Sequence, residues 1–243
     1  MLQAPKRTAL SGPTLIRLLA RLTDLDVPES RQSLSDRLSQ WLGWTDAIAL
    51  SSALNGSPPV VAAGARAFGS VEENECARVR TALVRAIADD GAAPVVRRRG
   101  TAKVPQNTAA ADFPVFRQRC LVIQQAMETD IGLLRGRLRA MLAAKTPAMT
   151  RLARVDAVME RALSERERSL LAAVPALLGR HFERLRQAEQ ASLAAAQASG
   201  DAAEATPGAW LDVFRKDMQS VLLAELDVRF QPVEGLLAAL RTC

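Results

Sequence analysis

The feature that most constrains this chain is a run of apolar residues between Phe113 and Met141 that recurs every three or four positions. Its members are Phe113, Phe116, Cys120, Ile123, Met127, Ile131, Leu134, Leu138 and Met141. This spacing is close to a heptad repeat, which places all of them on one face of a helix. One stutter of two consecutive four-residue steps locally unwinds a supercoil without ending it. The pattern predicts a helix from Asp112 to Lys145, roughly 50 Å long.

A second periodic run predicts an antiparallel partner for this helix. Its members are Leu152, Val155, Met159, Leu163, Leu170, Val174, Leu177, His181 and Leu185. Thr146 and Pro147 suit an N-cap and a first helical residue, and so short a break favours a hairpin. We expect a helix from Ala148 to Gln197, up to roughly 75 Å long and kinked at Pro175. Because it is the longer of the two, its stripe beyond Val174 is expected to lack an intramolecular partner.

That overhang predicts where the chain binds a partner. A further helix is expected to begin near Ala209, and a separate short helix is expected after Pro232, so the C-terminal part reads as a helix pair. The predicted partner-binding residues are Val174, Leu177, Leu185, Trp210 and Phe214. The expected partner is a second copy of the chain or a helical protein.

Two tryptophans flank a glycine near the N-terminus, in the stretch "QWLGWTDA". Gly43 suits a left-handed helix end, so Trp41 and Trp44 are expected to lie at a corner between two helices. We favour a buried corner over an aromatic platform for a ligand. Further on, Ser70 and Glu73 have the spacing of a capping box that begins another helix.

Composition supports an all-α fold. The chain has 49% hydrophobic and 24% charged residues, no tyrosine and few β-branched clusters, which favours helices over sheets. We predict an N-terminal helical domain over residues 1–90 and a basic flexible linker over 91–111. Long helices that form a hairpin or coiled coil are predicted over 112–198, and a linker with the C-terminal helices over 199–243.

Charge is concentrated in the predicted linker. Residues 91–111 contain four Lys or Arg and no Asp or Glu, within a chain of net charge +6. Arg97, Arg98, Arg99 and Lys103 could neutralise phosphates, although no aromatic residues alternate with them for base stacking. A solvated linker explains the same charges. A nucleic-acid-associated protein that uses this cluster and the Arg-rich helices is therefore the alternative function.

The residue types exclude most catalytic chemistry. His181 is the single histidine, and Cys76, Cys120 and Cys243 are widely separated, so no metal, cofactor or catalytic site is predicted. His181 lies on an apolar helical stripe, where a packed imidazole is expected rather than a general base. The cysteine usage favours a reducing cytoplasm. No apolar stretch suits a signal peptide or membrane insertion.

The segment "SRQSLSDRLSQWLGWTDAI" carries a family resemblance. It resembles the N-terminal signature of an uncharacterised proteobacterial family, a domain of unknown function of about this length. That family has no established activity, so the resemblance transfers no site residue. Its genes lie beside genes that resemble those of proton-channel motor subunits and of peptidoglycan-binding outer-membrane proteins. The resemblance therefore implies an accessory role near a bacterial envelope complex. The predicted function is thus a non-enzymatic helical interaction or scaffold protein.

Overall fold

A computed structural model of the chain describes residues 14–23, 32–56, 69–89, 112–199 and 208–242, and every regular element in these ranges is a helix. The all-α prediction is confirmed. The helices are α1 Thr14–Thr23, α2 Leu34–Trp41, α3 Trp44–Asn55, α4 Ser70–Ala88, α5 Phe113–Ala143, α6 Pro147–Leu171, α7 Val174–Ser199 and α8 Ala209–Arg241.

Helices α5 and α8 run parallel and form the centre of the core. Near their N-terminal ends the rings of Phe116 and Phe214 lie 5.1 Å apart. Further along both helices, Gln124 Nε2 donates a 2.9 Å hydrogen bond to Glu225 Oε2. Since α8 has a buried side chain in nearly every turn, it supplies most of the apolar surface against which the other helices pack.

The hairpin of α5 and α6 is confirmed. Thr146 caps α6, because its hydroxyl accepts a 3.3 Å hydrogen bond from the N–H of Met149, and Pro147 occupies the first helical position, where no N–H is needed. Most of the predicted apolar stripe of α5 is buried; its fully buried members are Cys120, Ile123, Met127, Ile131, Leu134 and Leu138.

The second long helix was expected to be kinked at Pro175, and the structure divides it into two helices just before this residue. Helix α6 ends at Leu171 and α7 begins at Val174. Pro175 lies in the first turn of α7, where a residue without an N–H is tolerated. The chain keeps its direction across residues 172–173, because Arg168 of α6 pairs with Glu128 of α5 and Phe182 of α7 contacts Phe113 and Phe116 of α5. Both helices therefore run antiparallel to α5, and the expected kink takes the form of a short break. Val174, Leu178 and Phe182 are buried, so this part of the stripe is covered within the chain and the expected overhang is wrong there.

The C-terminal helix pair is a single helix. Helix α8 continues through Pro232, although an internal proline removes a backbone hydrogen bond and costs about 3 kcal/mol. Phe230, Val233 and Leu236 are buried on both sides of this proline. Ending the helix there would turn the later residues out of the core, so their burial offsets the lost bond.

The N-terminal helices divide between two surfaces of the molecule. Apolar residues of α1 and α4, including Leu22 and Leu83, belong to the same core cluster as those of α5, α7 and α8. Helices α2 and α3 instead pack against α6. Residue 90 therefore does not separate two cores among the described residues.

The buried tryptophan corner is wrong for Trp44, which is 81% exposed. Trp41 is half-buried, and the guanidinium carbon of Arg166 lies 5.4 Å from the centre of its ring. Gly43 has φ −72° and caps the start of α3, where its N–H bonds Asp46 at 3.3 Å. Without a left-handed turn at Gly43, the chain does not fold the two rings onto each other.

The cap of α4 is also shifted by one residue from its prediction. Gly69 is the N-cap, and its N–H donates a 3.0 Å hydrogen bond to the Glu72 carboxylate. Because consecutive glutamates occupy positions 72 and 73, the capping-box spacing fits two registers, and the sequence does not distinguish them.

Candidate interaction surface

The outward face of α3, defined here as Trp44, Ala47, Ile48, Ser51 and Leu54, carries large apolar side chains in solvent. Trp44 is 81% exposed, Ile48 50% and Leu54 52%. Ala47 and Ser51 are also exposed and lie between them. A surface on which small residues alternate with large ones can accept another helix at close distance.

This face carries no charge. Asp46 is the one ionisable residue in α3, and it is half-buried and engaged with the N–H of Gly43. Trp44, Ile48 and Leu54 expose apolar area on one face, and tryptophan is among the residues that contribute most to protein interfaces. The face therefore has the chemistry of a protein-binding surface.

The amino-acid pattern of α3 concealed this face. Ala53 is buried on the opposite side of the helix, towards α6, so apolar residues surround α3 and no single stripe is visible. A helix that is apolar all round is usually a buried one. A signal that could have revealed the surface is the distribution of residue sizes around α3. The large apolar residues Trp44, Ile48 and Leu54 lie on the outward face, whereas the residue buried on the opposite side is the small Ala53.

Two of the five predicted partner-binding residues lie inside the molecule. Val174 is 1% exposed and Phe214 is fully buried. Leu177, Leu185 and Trp210 are half-buried, and the rings of Trp210 and Phe182 contact each other at 4.8 Å. Val174, Leu185, Trp210 and Phe214 belong to or pack on the core cluster. Contact with another protein at the predicted positions stays a prediction.

A cavity of about 360 Å³ lies between α5, α6 and α8, with Trp41 of α2 at its edge. Met127, Ile131, Met159 and Leu163 line its apolar floor. It forms where α6 diverges from α5, since no α6 residue between positions 154 and 170 is fully buried.

Charged residues at the rim of this cavity are mostly paired. Arg135 binds Asp156 at 2.6 Å, and Arg168 binds Glu128 at 2.7 Å. Arg139 also bonds Asp156 and Glu160 on the same side of α6. These pairs connect α5 to α6 across the divergence, so they hold the cavity open at a fixed width.

Behind the cavity lies a buried carboxylate. Glu225 is fully buried and accepts hydrogen bonds from Gln124 Nε2 at 2.9 Å and Arg229 Nε at 3.0 Å. Gln124 also donates to the carbonyl of Leu171. Burial raises the pKa of Glu225, and the bonds from Gln124 and Arg229 oppose that shift. The hydrogen bonds of this cluster join α5, the end of α6 and α8 to one another at one point along their lengths.

The single histidine is packed, as expected. His181 Nε2 lies 2.8 Å from Asp217 Oδ2, and Arg184 donates to His181 Nδ1 at 3.1 Å. With Nδ1 as an acceptor, the ring donates its proton at Nε2 to Asp217. The described hydrogen bonds of the ring are with Asp217 and Arg184, so the imidazole joins α7 to α8.

The other predicted sites are tested only in part. Arg97, Arg98, Arg99 and Lys103 lie outside the described residues. Within the described ranges, no group of three or more His, Cys, Asp or Glu side chains is arranged to hold a metal ion. No helix there combines the length and apolar character needed to cross a bilayer.

The fold and surface together define an all-helical protein with a central α5–α8 pair and an exposed apolar helix, α3. A family model described as "Protein of unknown function (DUF3348)" matches residues 1–242, so the chain belongs to that family, as its N-terminal signature indicated. No curated protein and no solved structure matches the chain.

Proposed function

We propose that this chain is a non-enzymatic helical interaction protein that associates with a second copy of itself through the outward face of α3. The observation that carries the proposal is the 81% exposure of Trp44 on a helix whose outward face has no charge. Exposed apolar area of this kind is removed from water when it meets a complementary surface.

The absence of charge favours a second copy as the partner. In a two-fold symmetric dimer the same surface meets itself, so a charged residue near the axis faces its own copy and is repelled. The outward face of α3 avoids that cost. Ala47 and Ser51 allow two α3 helices to approach closely, and Trp44 of each copy can cover the Ile48 or Leu54 of the other.

The size of the outward face of α3 determines how tightly the two copies are expected to bind. Helix α3 has 12 residues and is therefore about 18 Å long. One helix face of this length buries less than the roughly 800 Å² per partner of a standard interface. We expect a reversible dimer with a dissociation constant on the order of micromolar, which is typical of small interfaces.

Sedimentation velocity of the full chain over a concentration series tests this proposal. The wild-type protein should shift from monomer to dimer, and Trp44→Glu should stay monomeric because it puts like charges at the two-fold axis. Val71→Glu is the matched control, since Val71 is 59% exposed on α4 and away from this face. Equal association of Trp44→Glu and wild type, or a wild-type monomer at every concentration, would overturn the proposal.

The cellular setting is part of the proposal. The N-terminal signature supports an accessory role at a bacterial envelope complex, and the cysteine usage supports a cytoplasmic location. Contact with a helical protein of that complex would use the same face of α3. The nucleic-acid alternative rests on Arg97, Arg98, Arg99 and Lys103. On the long helices, Arg135 and Arg139 are engaged by acids, which leaves them less available to phosphates.

A further inference from the structure

The cavity between α5, α6 and α8 has the size and lining of a small-molecule site. Its volume of about 360 Å³ falls in the range of roughly 300–1,000 Å³ found for ligand pockets. We propose that it binds a single-chain anionic amphiphile, with the apolar tail on the floor and the anionic head beside Arg166.

The floor suits a flexible apolar chain. Met127 and Ile131 of α5 form one side, and Met159 and Leu163 of α6 form the other. Methionine side chains adapt their shape to an apolar ligand, because they are unbranched and polarisable. Their thioethers and the neighbouring aliphatic groups provide no partner for a polar chain, so the buried part of the ligand must be hydrocarbon.

The ion pairs of the lining indicate which head group fits the cavity. Three arginines of the lining have acidic partners: Arg135 with Asp156, Arg168 with Glu128, and Arg229 with Glu225. Arg166 also lines the cavity, and its recorded contact is with the ring of Trp41. The glutamates of the lining are engaged elsewhere, Glu160 with Arg139 and Glu167 with Arg229. Among the described residues, Arg166 is thus the arginine of the lining that has no recorded ion pair, and a carboxylate head would give it one.

The site is separate from the outward face of α3. The cavity is lined by α5, α6 and α8 and by Trp41 of α2, and no residue of α3 lines it. Ligand binding and self-association can therefore fail independently.

Isothermal titration of the full chain with decanoate, below its micellar concentration, tests the proposal. We expect saturable binding to wild type, loss of binding in Leu163→Asp, which places a charge on the floor, and wild-type affinity in Leu152→Asp. Leu152 is the matched control, because it is exposed on the same helix outside the cavity. Circular dichroism verifies that each variant is folded.

The head-group assignment needs its own comparison, and Arg166→Gln supplies it at an exposed position. Wild type should bind decanoate about fivefold more tightly than decanol, and Arg166→Gln should bind the two equally. Lack of decanoate binding by wild type, unchanged binding by Leu163→Asp, or an equal wild-type affinity for decanol would overturn the proposal.

A free amphiphile and a membrane lipid share this chemistry, and vesicles distinguish them. Wild type is sedimented with vesicles of phosphatidylglycerol. Protein that stays in the supernatant while it binds decanoate supports a free single-chain ligand. Protein that sediments with the vesicles but does not bind decanoate overturns the proposal in favour of a membrane surface.

Discussion

Truncation of Phe214 to alanine separates a core role for this residue from a partner-binding role. Phe214 is fully buried, and its ring contacts Phe116 at 5.1 Å and Phe182 at 5.0 Å, both edge-on. Phe→Ala in a core costs about 3–5 kcal/mol, and each aromatic pair contributes about 0.5–1.5 kcal/mol beyond its buried area. We expect a loss near the upper end of that range, because α5, α7 and α8 all meet at this ring.

Urea unfolding followed by far-UV circular dichroism measures this loss. For a chain of this size, 3–5 kcal/mol corresponds to a melting temperature lower by roughly 6–20 °C. Trp44→Ala is the matched control, since it removes a larger ring at an exposed position and should change the unfolding free energy by less than about 0.5 kcal/mol. The packing argument is refuted if Phe214→Ala costs less than about 1 kcal/mol, or if Trp44→Ala costs as much as Phe214→Ala.

Three further measurements test other features. Because the pKa of Glu225 is raised from 4.5, the folded chain keeps a proton just above that pH that the unfolded chain has lost. The unfolding free energy of wild type should therefore fall relative to that of Glu225→Gln as pH rises through this window; equal slopes in urea titrations would contradict this. Burial raises the pKa of the Cys120 thiol to about 12, so iodoacetamide should leave Cys120 unmodified in the native protein and alkylate it in urea, as read by peptide mass spectrometry; rapid native labelling would show that the site opens. If the basic cluster binds nucleic acid, gel-shift affinity should drop steeply with salt and collapse when residues 97–99 become Gln, and no shift even at low salt would exclude this alternative.

The sequence predicted the elements whose periodicity was strong. The stripe of α5 and the cap at Thr146 and Pro147 fixed one helix and the start of the next, because apolar spacing and cap chemistry agree there. The same reasoning located the kink near Pro175 but failed at Pro232, where α8 continues. A proline marks a point where a helix can stop, turn or continue, and the choice depends on tertiary packing that periodicity does not encode.

The candidate surface could not be predicted for a different reason. Trp41 and Trp44 are large and apolar, so local chemistry favours burial, whereas exposure of Trp44 depends on which side of α3 meets α6. Burial of Phe214 likewise depends on α5, α7 and α8 meeting at its ring, where Phe116 and Phe182 pack against it. The sequence identified apolar side chains that are expected to be buried, but not the helices that bury them.

The central position of α8 has a consequence for how the protein is made. Helices α1, α4, α5 and α7 all pack against α8, which comes after them in the chain. During synthesis those helices leave the ribosome with apolar faces that have no partner until α8 follows. The nascent chain must therefore wait in a partly assembled state, in which chaperones can hold it, and contacts between residues far apart in sequence make the final step slower than in a simple up-and-down bundle. A premature stop within α8 should send the product to proteolysis instead of yielding a shortened, folded protein.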